Sequence, residues 1–328
     1  MRPDEQSFYY ESIFAGHMAE FIRYKRAQGL KYTAVPLSLR SFSRFIAAKG
    51  TGEMALSKNL IEEWCRLRAN ENKLTQRRRI VETTQFLKYL AEKGIPIYLP
   101  RTTRKPRSQQ AFTPYIFSPD ELHWFFQKCD QLTARAPSSM PTMLPLIFRV
   151  LYGCGLRISE VLNLKYSDVD LDAGHLVIRK AKFNKDRMVP LSESLLRLFH
   201  NYSATAHRSS TDNDEYFFAH KDSRPVKADN VYSWYRKVLW AVGISHGGRG
   251  NGPRLHDFRH TFSVYAMKSM TDNGMDIYCA LPILSTYLGH ASVSATGQYV
   301  RLTQDMFPEI VSKVSTIAAF VIPGGDMI

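Results

Sequence analysis

Apolar residues recur every three or four positions through the first hundred residues, and glycines cut the runs into four pieces. Between residues 11 and 28, Phe14, Met18, Phe21 and Ile22 mark one helical stripe, ended by Gly29. Residues 36–48 repeat the pattern with Leu39, Phe42, Phe45 and Ile46 before Gly50. Ser57 predicts a cap for a third helix with Leu60, Ile61, Trp64 and Leu67 on its inner face. Thr75 predicts one for a fourth, which carries Ile80, Leu87 and Leu90 up to Gly94. Short connections between four such pieces predict a compact bundle over 1–95.

From 96 to 115 the stripe is lost. Pro96, Pro100, Pro106 and Pro114 punctuate a basic, polar stretch that reads as an extended linker. Ser118-Pro119-Asp120-Glu121 then combines a capping box with proline at the first helical position, opening a second domain over 116–305. Leu144, Ile147, Phe148 and Leu151 predict an apolar helix over 142–152. Residues 175–191 switch to a period of two around a turn-rich Asn184-Lys185-Asp186, so a β-hairpin is expected. Met270 to Gly274 read as a loop within a long interval from 269 to 282, and an apolar helix follows over 277–287. Ile310, Val314, Ile317 and Val321 form a last stripe in a tail over 306–328, with nothing nearby in sequence to cover it. The expected fold class is mainly α with a small β-sheet (α+β): an N-terminal helical bundle followed by a larger domain.

Charge sharpens this division. Of a net +14, residues 1–110 carry +11, with 21 Lys and Arg against 10 Asp and Glu; the rest carries 23 against 20. Such asymmetry points to a polyanion gripped most strongly by the first third. Arg77, Arg78 and Arg79 sit at the start of the fourth predicted helix, where cations oppose the helix dipole, so phosphate contact explains them better than helix stability. Arg101, Arg104, Lys105 and Arg107 give the linker the same character. The cysteines, at 65, 129, 154 and 279, make no C-x-x-C pair, which speaks against zinc knuckles and a disulfide framework. With no apolar signal core and no run of membrane-spanning length, a cytoplasmic protein away from the membrane is expected.

The densest chemistry lies between Arg254 and Leu302. His256 and Arg259 stand three apart, so on a helix they share one face; His290 follows in a short turn and Tyr299 nine residues later. Guanidinium binds phosphate oxygens, imidazole moves protons, and a tyrosine oxygen can become phosphorylated. Together they can break a phosphodiester without a metal. His256 and His260, four apart, also suggest a zinc helix, but Asp257 replaces the glutamate base of zinc proteases and Arg259 would place a cation beside the metal. Tyr287, the nearest competing tyrosine, precedes His290 and reads as an apolar-face residue.

H-D-F-R-H, then L-G-H, then that tyrosine resemble the catalytic half of the tyrosine recombinases, the phage integrase family. C-G-L-R-I-S-E, residues 154–160, matches the segment that carries the family's first arginine, here Arg157. K-F-N-K-D-R-M-V-P aligns Lys182 with the family's catalytic lysine in a β-hairpin, with Phe183 where glycine is common and Lys185 as the fallback. The resemblance implies a core-binding domain over 1–95 and a catalytic domain over 116–305. It also implies site-specific recombination of double-stranded DNA, by a tetramer on paired sites, with no cofactor. Tyr299 would attack the phosphate, Arg157 and Arg259 would neutralise it, and Lys182 would protonate the departing 5′ oxygen. His256 would assist the tyrosine's proton and His290 would hold the phosphate. In such a scheme the tail docks on a neighbouring protomer, the alternative being that it folds back on its own catalytic domain. A type IB topoisomerase-like relaxase and a catalytically silent DNA-binding regulator remain the alternatives.

Overall fold

The computed structural model describes residues 9–50, 52–101, 113–133, 138–179, 186–205, 213–245, 247, 252–290 and 296–306. The chain divides into two compact units, Met1–Ala111 and Phe112–Ile328.

In the first unit, α1 (Ala15–Ala27), α2 (Val35–Ala48), α3 (Lys58–Cys65) and α4 (Lys73–Glu92) surround a core that includes Phe14, Phe21, Phe42, Trp64, Phe86 and Leu90. These are the stripes read from the sequence, with two shifts. Asn72, not Thr75, caps α4: its side chain accepts from the Thr75 amide at 2.8 Å, and the helix starts earlier. Leu67, expected on the inner face, lies beyond the end of α3 and is exposed. Packing also reaches past residue 95. Ile95, Ile97 and Tyr98 lie against this core, and Leu56 pairs its backbone with Pro96 and Tyr98.

Arg79 requires a larger correction. Expected to meet phosphate, it is only 7% exposed, its guanidinium 4.8 Å from the Trp64 ring centroid. It donates to both carboxylate oxygens of Glu71, at 2.8 and 2.6 Å, and to the backbone carbonyls of Trp64 and Arg66. A guanidinium nearly two helical turns into α4 can turn inward, because the C-terminal carbonyls of α3 need donors and Trp64 offers a π face. Arg79 therefore ties α3 to α4. Arg78 stays exposed and pairs with Glu82 one turn on, while Arg77 is half-buried.

The second unit begins with α5 (Pro119–Asp130), whose Ser118–Glu121 capping box is complete. After it come α6 (Met140–Gly153) and α7 (Ile158–Leu162). An antiparallel sheet follows: β1 (Val169–Asp170), β2 (His175–Ile178) and β3 (Arg187–Pro190), in the order β1-β2-β3 with Leu176 opposite Val189. Then come α8 (Glu193–Thr205), α9 (Ala228–Ala241), α10 (Asp257–Asp272), α11 (Ile277–Leu288) and α12 (Gly297–Met306). Phe125, Phe148, Tyr235 and Phe258 meet at the centre of the main core. Val264, Met267, Leu284, Leu288 and Tyr299 form a second cluster between α10, α11 and α12.

Residues 270–272, expected as loop, are the last turn of α10. Only residues 273–276 separate it from α11, which Asp276 caps by accepting from the amides of Tyr278 and Cys279. The long interval is two helix ends and a short turn. The hairpin tip, with Lys182 and Lys185, lies outside the described residues, as do Arg104, Lys105, Arg107 and the tail from 307 onward.

The hairpin is bound to α7 by charge. Arg187 of β3 donates to both oxygens of Glu160, at 3.1 and 2.9 Å, and its Nε donates to the Tyr287 carbonyl at 3.0 Å. Glu160 also accepts from the backbone amide and the guanidinium of Arg157, at 2.9 and 2.8 Å. Burial alone would raise the Glu160 pKa. The Arg187 bonds, the Arg157 amide and both cationic charges outweigh it and bring the group from 4.5 to about 2.

Two stability measurements follow from these ion pairs. Glu71→Ala strands Arg79 inside the first unit without its counter-charge, and urea titration should read a loss of about 3–5 kcal/mol. The Glu160 contribution is complete above pH 4.5 and fades as the pH falls toward 2, because folding lowers its pKa. Glu160→Gln should therefore cost on the order of 3 kcal/mol at pH 7. The deficit should shrink steadily when unfolding is repeated at lower pH; a constant deficit from pH 7 to pH 3 would mean that the carboxylate charge is not what binds the hairpin.

Candidate active site

Gly155 shapes one wall of the site. Its φ of +57° is a left-handed conformation, and a Cβ there would come within 2.5 Å of the Phe262 ring. This turn leads the chain from α6 to Arg157, the residue preceding α7. Arg157 is held by Glu160, the local pairing its position suggested, yet its side chain remains 24% exposed.

Arg259, in the first turn of α10, is the largest of the fully buried side chains at 1% exposure. It donates to the Gly155 carbonyl at 2.6 Å and to the Leu288 carbonyl at 2.7 Å. Its Nη2 also lies 3.0 Å from Nε2 of His290. A guanidinium can only donate, so that nitrogen accepts; Nδ1 of His290 then carries the proton and donates to Thr296 Oγ1 at 2.7 Å. His290 is thus a neutral imidazole with a defined tautomer. It stands just past Gly289, whose φ of +65° closes α11 with a left-handed cap.

Tyr299, on α12, is 1% exposed. Its ring lies nearly parallel to that of His290, with centroids 6.4 Å apart, and its hydroxyl is 3.0 Å from Nδ1 of His260. His256 precedes α10, edge-on to His260 at 4.9 Å between ring centroids.

Electrostatics follow from crowding cations in a buried place. Burial, then the Arg157 charge, draws the Arg259 pKa down to about 10, which leaves it a cation at neutral pH. Burial, then Arg259, Arg157 and Arg254, lowers His256 to about 4. Arg259 thus keeps its charge while the His256 imidazole beside it is neutral. Guanidinium charge of this kind is chemically suited to a tetrahedral oxyanion, and a buried phenol lies close to it.

The structure thus brings Arg259, His290 and Tyr299 together, with Arg157 and His256 coupled to them by charge. Three residues of the site escaped the sequence reading. Arg187 lies within the hairpin motif but was overshadowed by the lysines of the tip. His260 stood out only as half of a metal pair, and its Nδ1 is at the tyrosine instead. Thr296 carries no sequence signal. Among the described residues, no group of three His, Cys, Asp or Glu side chains gathers where a metal could be held.

Comparison with known proteins places this arrangement. The chain is 25% identical over 307 residues to a putative integrase/recombinase, y4rB, of Sinorhizobium fredii, covering 92% of this chain and 97% of that one. It is 33% identical over 183 residues to the tyrosine recombinase XerA of Pyrococcus furiosus, 55% of this chain and 57% of that one. The crystal structure of the XerH site-specific recombinase bound to difH substrate in a pre-cleavage complex shares the fold. Its TM-score is 0.61 at 19% identity, over 84% of this chain and 78% of that one. The sequence pattern described as the phage integrase family matches residues 117–306, and with them α5 to α12 and every described residue of the site. With more than half of its length matched in this way, the chain belongs to the phage integrase family, the tyrosine recombinases.

Proposed function

We propose that this enzyme integrates, excises or transposes DNA at specific sites, cutting and rejoining strands through a covalent 3′-phosphotyrosyl intermediate. The observation that carries the reading is the convergence of a buried Arg259, the His290 imidazole that accepts from it at 3.0 Å, and the Tyr299 phenol stacked beside that imidazole. In the reaction the Tyr299 oxygen attacks the scissile phosphorus while the bond to the 5′ oxygen breaks, and Lys182 gives that oxygen its proton. Arg157 and Arg259 stabilise the charge that grows on the non-bridging oxygens. Pre-positioned guanidiniums need little reorganisation as that charge develops, which is why the carbonyl anchors of Arg259 matter. His256, neutral at working pH, takes part in moving the phenolic proton, and His290 helps hold the phosphate by orienting the Arg259 guanidinium that donates to its Nε2. The phosphotyrosyl ester conserves the energy of the broken bond, so religation is the same chemistry in reverse.

The partner is double-stranded DNA carrying a recombination site, bound in the cytoplasm by a tetramer on paired sites. Arg77, Arg78, Arg101, Arg104, Lys105, Arg107 and Lys185 supply phosphate contacts, and the apolar tail over 306–328 docks on the neighbouring protomer. Among the described residues, no helix is long and apolar enough to cross a membrane.

The test begins by sequencing recombination junctions made in cells and building a nicked duplex across the junction, which traps the covalent adduct. Tyr299→Phe should bind this duplex as the unaltered protein does and form no detergent-resistant adduct; an adduct would move the nucleophile elsewhere. Relaxation of a single-site plasmid without exchange between two sites would instead make the enzyme a topoisomerase. Lys182→Ala should slow cleavage of ordinary DNA by on the order of 100-fold. With sulfur at the 5′ bridging position, a leaving group that needs no proton, the same variant should cleave at close to the normal rate. Equal defects on both substrates would take the acid role from Lys182 and direct attention to Lys185.

A further inference from the structure

The hydroxyl of Tyr299 has a partner to which the roles above give no task. Nδ1 of His260 lies 3.0 Å from it, the ring centroids are 5.7 Å apart at 53°, and both side chains are buried. His260 directly follows Arg259 in α10, so a single helical turn carries the phosphate-binding guanidinium and the partner of the nucleophile. That turn is held at several points: Arg259 is bonded to carbonyls at the ends of α6 and α11, and Asp257 accepts from the Arg254 amide at 2.7 Å. The position of His260 is therefore as well determined as that of Arg259.

A buried phenol needs a hydrogen-bond partner, but the direction of the bond decides what the partner does. If the imidazole donates, it occupies a lone pair of the oxygen that must reach phosphorus. If the phenol donates, its lone pairs stay available. Burial, then the facing His256, Arg254, Arg259 and His290, lowers the His260 pKa to about 3, so the ring is neutral at working pH and one nitrogen carries a lone pair.

We propose that His260 is a positioning residue for the nucleophile: its Nδ1 accepts a hydrogen bond from the Tyr299 hydroxyl, seating the phenol in the DNA-free protein with its oxygen lone pairs free for the phosphorus. The proposal rests on the recombinase reading above. It gives His260 no contact with DNA, and it accounts for a nucleophile that is buried before substrate arrives.

The first experiment needs no DNA. In the full chain with 15N-labelled histidine, Nδ1 of His260 should resonate as an unprotonated nitrogen, and Tyr299→Phe should shift it. A protonated Nδ1 would overturn the proposal. The second uses the nicked junction duplex in single turnover. His260→Phe keeps an aromatic ring but has no acceptor; it should bind the duplex normally and form adduct on the order of 100-fold more slowly. His260→Asn, whose Oδ1 can stand where Nδ1 stands, should recover most of that rate. A His260→Phe variant that cleaves at the normal rate, or a His260→Asn variant as slow as His260→Phe, would overturn the positioning role. Absence of adduct from the unaltered protein would overturn the recombinase reading, and the nitrogen spectrum would then still decide the direction of the hydrogen bond.

Discussion

The buried guanidinium of Arg259 is the constraint on which the second unit's site depends. It joins the Gly155 turn, the end of α11 and the imidazole of His290. A desolvated cation is costly unless donors and acceptors around it are matched, and here backbone carbonyls from two separate helix ends supply the acceptors. The Leu288 carbonyl is one that a helix terminus leaves without an intrahelical partner, and the Gly155 carbonyl belongs to the turn that follows α6. Structural need and the proposed catalytic need therefore coincide: the bonds that make the cation tolerable also fix it where the proposed reaction requires a guanidinium.

A second layer of charge surrounds it. Glu160 is the anion for both Arg157 and Arg187, and through Arg187 it holds the hairpin to α7 and to the end of α11. One carboxylate shared by two guanidiniums leaves net positive charge, which suits a site for an anion. Burial, aided by the same field, keeps His256 and His260 neutral, so the cationic groups are the arginines. In the first unit the same physics has a different outcome. Arg79 is matched by Glu71 and stacked on Trp64, so its charge is spent on joining two helices.

Much of this was legible in the chain alone. The stripes at Phe14–Met18–Phe21 and Leu39–Phe42–Ile46, the capping box at Ser118, and the change of period at 175–191 each reflect local rules, in which a residue's neighbours in sequence decide its conformation. The family was legible as well, because the motifs that carry Arg157, His256, Arg259, His290 and Tyr299 stand in the order found in the tyrosine recombinases. The residues alone were enough to favour phosphodiester chemistry over a metal site.

What the tertiary structure decided concerns partners distant in sequence. Whether an arginine at a helix start faces solvent or turns inward depends on what packs beside it, and Arg79 could be placed only once Trp64, Arg66 and Glu71 were around it. Thr75 and Asn72 are both able caps, and in the folded chain it is Asn72 whose side chain accepts from the amide three residues on. His260 looked like a metal ligand because its spacing from His256 is the only relation visible along the chain; its partner, Tyr299, is 39 residues away. Sequence determines which side chains are able to donate, accept or carry charge, but hydrogen bonds and ion pairs act over about 3 Å, and only the folded chain decides which of them come that close.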